Sequence, residues 1–147
     1  MAQVDLRCRY HPFPARPSPG FPNRIEVWYP IVKLGLKAAQ APIRTVALLD
    51  TGADFTFFGT RWADALGIDW RAAPEVHFKG VGATDNIGYA ADVTLFLVDD
   101  PFSWPARVVF SPAMDGFPFP LLGHTGFFEH FEVRFKTATR QLRIHLR

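Results

Sequence analysis

The chain has 147 residues, of which 48% are hydrophobic, 15% aromatic and 20% charged, and its formal net charge is +2 at pH 7. This length suits one domain with a single apolar core, and the composition excludes a disordered or collagen-like chain. No apolar run approaches the roughly 18 residues of a membrane helix, so we predict a soluble globular protein without a membrane partner. The positive residues are spread along the chain, so a nucleic-acid partner is not predicted either.

The N-terminal part of the sequence is rich in proline, which blocks both helices and central strands. Residues 1–24 are therefore predicted to be an extended arm, and residues 25–147 to be the folded domain. The start of the chain lacks the long apolar segment of a secretory signal, and Cys8, the one cysteine, cannot form an internal disulfide. Both observations favour a cytoplasmic location. Because the sequence offers only one sulfur ligand, no metal site is expected.

Alternating and β-branched or aromatic segments predict a series of short strands joined by Gly or Pro. They cover residues 25–29, 31–36, 43–49, 55–58, 76–78, 88–98, 106–110, 131–135 and 142–146. Two short helices are predicted: 60–66, with Thr60 as N-cap and Gly67 after its end, and 125–130, with Thr125 as N-cap. The fold class is therefore all-β with one or two short helices.

Residues 48–59 read LLDTGADFTFFG and place Asp50 between an aliphatic and an aromatic segment. A carboxyl group in such a place costs several kcal/mol unless it is hydrogen-bonded, paired or protonated. Thr51 adds a hydroxyl group, and Gly52, without a Cβ, lets a backbone or ligand approach closely. Asp, Thr and Gly also form ordinary turns, so the motif alone suits either a turn or a site. A second apolar-apolar-Gly segment, 121–123, occurs later in the chain.

With LLDTGA at 48–53 and LLG at 121–123, followed by a short helix and terminal strands, the chain resembles the retroviral-type (retropepsin-like) aspartic proteases. The segment LLGHTGFFEHFEVRF is most similar to small prokaryotic and cellular members. The resemblance runs from residue 45 to the C-terminus. It implies a closed β-barrel subunit that supplies half of an active site. The implied activity is that of a homodimeric aspartic endopeptidase, which needs no cofactor and acts on peptide or protein substrates.

The resemblance assigns a role to each residue of the Asp-Thr-Gly-Ala loop. Two copies of Asp50, one from each subunit, would share a proton and activate a water molecule. Thr51 would hydrogen-bond across the dimer axis, and Gly52 would accept a contact from the substrate backbone. Ala53 and Asp54 would line the substrate subsites.

The glycine-rich segment 78–88 corresponds in this resemblance to the flap, a lid over the substrate. Gly80, Val81 and Gly82 at its centre would bind the substrate. An ordinary glycine-rich hairpin explains the same residues equally well. A second hypothesis for the whole chain, from another class, is a catalytically inert module of retropepsin fold that binds peptides or takes part in assembly.

One position departs from the viral pattern, in which an Arg after the later Gly pairs with the acid of the D-T-G-A loop. His124 stands in that place. Asp54 is therefore expected to pair either with His124 or with an arginine of the arm, Arg16 or Arg24, and the sequence does not choose between them. His124 and His130 are six residues apart, which disfavours a metal pair on one helix face.

The C-terminal part of the chain carries apolar and basic residues in alternation. Phe127, Phe128 and Phe131 are predicted to belong to the core. The last strand, 141–146, is expected to offer an edge to a partner chain, although it also suits the closing strand of its own barrel. The basic side chains nearby are interpreted as solvent-exposed strand faces, with a polyanion site as the alternative. They are Arg134, Lys136, Arg140, Arg143 and Arg147.

Overall fold

The computed structural model describes residues 3–80, 82 and 84–147. In these residues the chain forms twelve strands, one α-helix and three short 3₁₀ helices. The strands are β1 (Asp5–Arg9), β2 (His11–Pro14), β3 (Glu26–Tyr29), β4 (Ile31–Lys37), β5 (Ile43–Leu49), β6 (Phe57–Phe58), β7 (Glu75–Lys79), β8 (Asp85–Leu97), β9 (Ser103–Phe110), β10 (Leu121–Leu122), β11 (Phe131–Lys136) and β12 (Gln141–Leu146). The helix α1 spans Thr60–Leu66, and the 3₁₀ helices span Trp70–Ala72, Pro112–Met114 and Thr137–Thr139.

The largest sheet has seven strands in the order β4-β5-β10-β6-β9-β8-β7. Two of its pairings are parallel, β10 with β5 and β6 with β9, and the others are antiparallel. The long strand β8 also pairs with β4, for example at Leu34 and Leu97, so the sheet curves back on itself. The predicted all-β class is confirmed, whereas closure into a regular barrel stays a prediction.

A second sheet has three strands in the order β1-β12-β11. The last strand, β12, is therefore paired on both sides within its own chain, and the prediction that it offers a free edge is wrong. The reason lies in the N-terminal segment, where Leu6 and Cys8 alternate with exposed residues and pack against the core. Proline begins only after this segment, so nothing prevents β1 from pairing with β12.

The core lies between these two sheets and is built from aliphatic strand residues and a cluster of aromatic rings. Leu142 and Ile144 of β12 are almost completely buried. Phe127 and Phe131 pack on Trp104 with ring centroids 6.0 and 4.8 Å away, which confirms their prediction as core residues. Phe128 is half-buried at the margin of this cluster. None of the helices in the described residues is long and apolar enough to cross a membrane.

Helix α1 begins and ends where the sequence predicts, but it is capped differently. Thr60 is the first helical residue rather than the N-cap, which is Gly59. The capping group comes from Asp115, whose carboxylate accepts hydrogen bonds from the Thr60 amide at 2.6 Å and the Thr60 hydroxyl at 2.8 Å. At the other end Gly67 adopts the left-handed conformation, φ 73°, that favours glycine after a helix.

The second predicted helix, residues 125–130, is replaced by a series of turns, so that prediction is wrong. Thr125 forms a parallel bridge with Phe55, and the carbonyl of Gly126 accepts a hydrogen bond from the indole of Trp104 at 2.9 Å. Gly126 also has φ 100°, which interrupts a right-handed helix. Tertiary pairing thus prevails over the local preference for a helix.

The pair between Asp5 and Arg143 joins β1 to β12 and makes stability depend on pH. Arg143 Nε donates to Asp5 Oδ1 at 2.6 Å, and this hydrogen bond is the main reason why the pKa of Asp5 falls from 3.8 to about 2. Because the folded-state pKa is the lower one, the pair stabilises the fold above pH 4 and loses its effect as the pH falls toward 2.

Asp5→Asn is therefore expected to lower the free energy of unfolding at pH 7, and the difference from wild type should shrink between about pH 4 and pH 2. Urea unfolding at a series of pH values measures this difference. Asp69→Asn, which changes an exposed carboxyl without an ion pair in the described residues, is the control. A difference between Asp5→Asn and wild type that stays constant down to pH 2 would contradict the assignment.

Candidate active site

Asp50 is the first residue after β5, at the edge of the sheet where the parallel strands β5 and β10 both end. Its amide donates to the carbonyl of Leu122 at 3.0 Å, which fixes the loop against β10. One carboxylate oxygen, Oδ1, accepts a hydrogen bond from the amide of Gly52 at 2.9 Å. Within the described part of the chain, Oδ2 has no hydrogen bond, and the side chain is half-buried. The carboxyl group is thus held in place by the backbone, with one oxygen left for another partner.

The loop after Asp50 runs beside the segment that follows β10. The amide of His124 donates to the carbonyl of Ala53, and the amide of Thr125 to that of Asp54, each at 2.9 Å. The amide of Thr56 donates in turn to the carbonyl of Thr125 at 3.0 Å. These bonds join the two motifs that the sequence analysis singled out, so the structure brings LLDTGA and LLG together.

Thr56 is the buried polar residue that holds this junction, and the sequence analysis missed it. Its side chain is fully buried, and its hydroxyl donates to the carbonyl of Thr125 at 2.9 Å while accepting from the amide of Gly123 at 3.2 Å. A buried hydroxyl with both kinds of partner is stabilising, whereas an unpaired one is costly. The sequence feature that indicates this role is a single hydroxyl residue within an otherwise aromatic segment, FTFF.

Gly123 lies so close to the loop after Asp50 that no side chain fits. A Cβ on Gly123 would come within 2.1 Å of the carbonyl oxygen of Phe55 and 2.6 Å of that of Ala53. Backbone atoms cannot move aside as a flexible side chain can. The later Gly of the LLG segment is therefore required by packing against the first motif.

Gly123→Ala is expected to lower the free energy of unfolding by about 3 kcal/mol or more, because the two segments must move apart. Urea unfolding of the purified variant measures this loss. Gly116→Ala is the matched control, since a Cβ there meets nothing within 4 Å, and it should lie within about 0.5 kcal/mol of wild type. Equal stability of the two variants would show that the close approach at Gly123 is not a constraint.

His124 contacts the Asp-Thr-Gly-Ala loop at Thr51 rather than at Asp54. Its Nε2 lies 2.6 Å from the carbonyl oxygen of Thr51, so a proton on Nε2 is needed for this bond. The ring also packs on Phe128, with centroids 5.6 Å apart. His124 therefore holds the backbone of the Thr51 loop, and the proposed pairing of His124 with Asp54 is wrong.

Asp54 is exposed, and neither of its other suggested partners reaches it. In the residues that the structure describes, no ion pair within 4.0 Å joins Asp54 to Arg16 or Arg24. The two arginines are themselves exposed. The carboxylate of Asp54 is therefore accessible at the rim of the loop, next to the exposed Thr51 and Gly52.

Strands β7 and β8 form an antiparallel hairpin whose last paired residues are Lys79 and Asp85. Gly80 and Gly82, which follow β7, are exposed, and Val81 lies outside the described residues. Phe78 of β7 packs on Phe57, with ring centroids 4.6 Å apart.

The hairpin is also fixed to the rest of the sheet by the hydroxyl of Ser111, which donates to the carbonyl of Ile87 at 2.7 Å. Ala53 and Phe57 belong to one small apolar cluster, against which Phe78 packs. Ala53 is itself buried, with 8% of its surface exposed. The base of the hairpin thus rests on the residues that follow Asp50.

The comparisons with known proteins agree with this architecture. No protein-family model and no curated protein matches the sequence. Among solved structures, a retropepsin-like aspartic protease from Rickettsia conorii matches with a TM-score of 0.57 and 11% identity, covering 99% of this chain and 93% of that chain. The EIAV protease complexed with the inhibitor HBY-793 matches with a TM-score of 0.48 and 22% identity, covering 65% of this chain and 82% of that one.

The Rickettsia match extends over nearly the whole chain and shows that the protein has the retropepsin-like aspartic protease fold, as the sequence predicts. The Asp-Thr-Gly-Ala loop and the LLG segment lie at the common end of β5 and β10, and Phe78 of the β7–β8 hairpin packs on Phe57, which follows that loop.

Proposed function

We propose that the protein is an aspartic endopeptidase whose active site is formed by Asp50 from each of two subunits. The observation that carries the proposal is the setting of Asp50 at the meeting point of two parallel strand ends. There its backbone is fixed by Leu122, one carboxylate oxygen is oriented by Gly52, and the other is without a hydrogen bond in the described residues. A carboxyl group so held is prepared for chemistry rather than for structural pairing.

A single chain has one Asp-Thr-Gly sequence and therefore supplies one such carboxyl group. In the proposed homodimer two Asp50 side chains face each other at about 3 Å and share one proton, since both cannot ionise cheaply at that distance. The ionised carboxylate takes a proton from a bound water molecule, which attacks the scissile carbonyl carbon. The protonated carboxyl donates a hydrogen bond to the carbonyl oxygen, and a proton is then passed to the leaving amine.

The neighbouring loop residues take supporting roles in this proposal. Thr51, which is exposed in the single chain, contacts the loop of the second subunit, and Gly52 receives the substrate backbone. Ala53 and Asp54 border the substrate subsites, where the exposed carboxylate of Asp54 favours a basic or hydrogen-bond-donating group.

The β7–β8 hairpin acts in the proposal as a flap that closes over an extended peptide and excludes water. Gly80, Val81 and Gly82 contact the substrate in this proposal. The packing of Phe78 on Phe57 supports this arrangement, because it holds the base of the hairpin against the residues that follow Asp50. A cytoplasmic location and a boundary at residue 24 stay predictions.

A second candidate function is a peptide-binding or assembly module that keeps the fold and cleaves nothing. The observation that favours it is the substitution at His124, which leaves Asp54 without an ion pair within the described residues. The two functions share the fold but differ in whether Asp50 turns over a substrate.

A degenerate peptide library incubated with the purified protein distinguishes these two functions. The proposal predicts cleavage products that disappear when a pepstatin-type mimic of the transition state is added, because such mimics bind far more tightly than substrates. Peptides that bind but stay intact at every pH between about 4 and 8 would support the inert module instead.

A further inference from the structure

One face of the three-stranded sheet carries two rows of mostly basic side chains. The strand register places Arg7, Arg143 and Arg134 directly opposite one another across β1, β12 and β11. Two residues along, the register brings Arg9, Gln141 and Lys136 together in the same way. Since side chains two residues apart share a face, both rows lie on one side of the sheet.

Like charges directly opposite each other destabilise a sheet, so this arrangement needs a physical explanation. Charged residues on edge strands protect them from pairing with other chains, which accounts for cations on β1 and β11. It does not account for Arg143, because that residue lies on the central strand.

The acidic residues nearby neutralise only part of the charge. Asp5 forms a fork-shaped pair with Arg143, and Glu132 lies 3.8 Å from Arg134. Within the described residues, no acidic side chain approaches the remaining three cations within 4.0 Å, and these are Arg7, Arg9 and Lys136.

These side chains border a surface groove of about 330 Å³. Its lining includes all six residues of the two rows. It lies on the β1-β12-β11 sheet, whereas Asp50 belongs to the seven-stranded sheet.

We propose that this groove binds an acidic segment of a partner protein, with carboxylates that engage Arg7, Arg9 and Lys136. On the same face, Arg143 donates two parallel hydrogen bonds to the carboxylate of Asp5, which shows that an arginine here can bind a carboxylate. A segment rich in Glu or Asp supplies the same group to the cations that lack one.

One further observation favours a peptide over a nucleic acid. The lining contains no aromatic ring on which a base could stack. This proposal does not depend on Asp50, and it holds or fails independently of the proposed protease activity.

Fluorescence anisotropy with a labelled twelve-residue glutamate peptide tests the proposal on the full chain. Binding is expected in about 50 mM salt and should weaken as salt is raised. The triple variant Arg7→Gln, Arg9→Gln, Lys136→Gln should bind at least about tenfold more weakly. The matched control Arg16→Gln, Arg24→Gln, Arg44→Gln removes the same charge from exposed positions elsewhere and should change the affinity less than about threefold.

Circular dichroism first checks that both triple variants are folded, and their affinities for the peptide are then compared. An equal loss in the two variants would show that net charge, not the groove, attracts the peptide, and would overturn the proposal. The same holds if wild type does not bind the peptide at all. A labelled twelve-nucleotide single strand that binds more tightly than the peptide, and loses affinity in the triple variant, would assign the groove to nucleic acid instead.

Discussion

Asp50→Asn is expected to lower kcat/KM for a cleaved peptide by at least about a hundredfold, because the amide can neither accept the proton of the attacking water nor share a proton with its partner. The free energy of unfolding should stay the same or rise slightly. Two neutral amides at the dimer axis can hydrogen-bond, whereas two carboxyl groups repel each other when both are ionised. Steady-state kinetics and urea unfolding on the same preparation measure the two effects together.

Asp92→Asn is a suitable control, because Asp92 is an aspartate on β8 with its side chain exposed and paired with Arg107 at 3.2 Å. Breaking such a surface pair costs about 1 kcal/mol at most and should leave kcat/KM within about twofold of wild type. If the Asp50→Asn protein kept more than about a hundredth of the wild-type activity, Asp50 would not be the general base.

The specific activity, which is the activity per amount of protein, is expected to fall when the protein is diluted. If the active site needs Asp50 from two chains, the specific activity falls as the dimer dissociates, whereas a site within one chain keeps the same specific activity at every concentration. Activity measured across about three decades of protein concentration shows this, alongside sedimentation velocity over the same range.

Two copies of the chain joined by a flexible linker provide the control for dilution. The linked protein makes assembly intramolecular, so its specific activity should not depend on concentration. A full-length protein that sediments only as a monomer and cleaves at constant specific activity would contradict the two-chain site.

The sequence predicted the fold class and most strands because alternation and β-branched segments report burial directly. It also identified the two motifs that the structure places side by side, LLDTGA and LLG. Three strands, β1, β2 and β10, depend on pairing with other parts of the chain and were not predicted in this way. The strand β1 forms because β12 accepts it as a neighbour, and the two-residue strand β10 is too short to give a pattern.

The errors share one physical cause, which is that tertiary contacts decide between local alternatives. The residue types at 125–130 favour a short helix. The bridge between Thr125 and Phe55 and the hydrogen bond from the indole of Trp104 hold these residues in turns instead. Threonine is a common N-cap residue, but at Thr60 the capping carboxylate comes from Asp115, which is distant in the sequence. His124 was considered as a partner for Asp54, yet its ring reaches the carbonyl of Thr51.

Mixing wild-type chains with Asp50→Asn chains tests most directly whether the site is shared between two subunits. Wild-type protein is held at one concentration while the inactive variant is added in increasing excess, under substrate saturation and with time for subunit exchange. If both Asp50 residues are needed, random pairing leaves activity proportional to the wild-type fraction, or about one tenth at about ninefold excess of the variant. Activity that stays at the wild-type level throughout the titration would show that one chain is sufficient and would contradict the shared site.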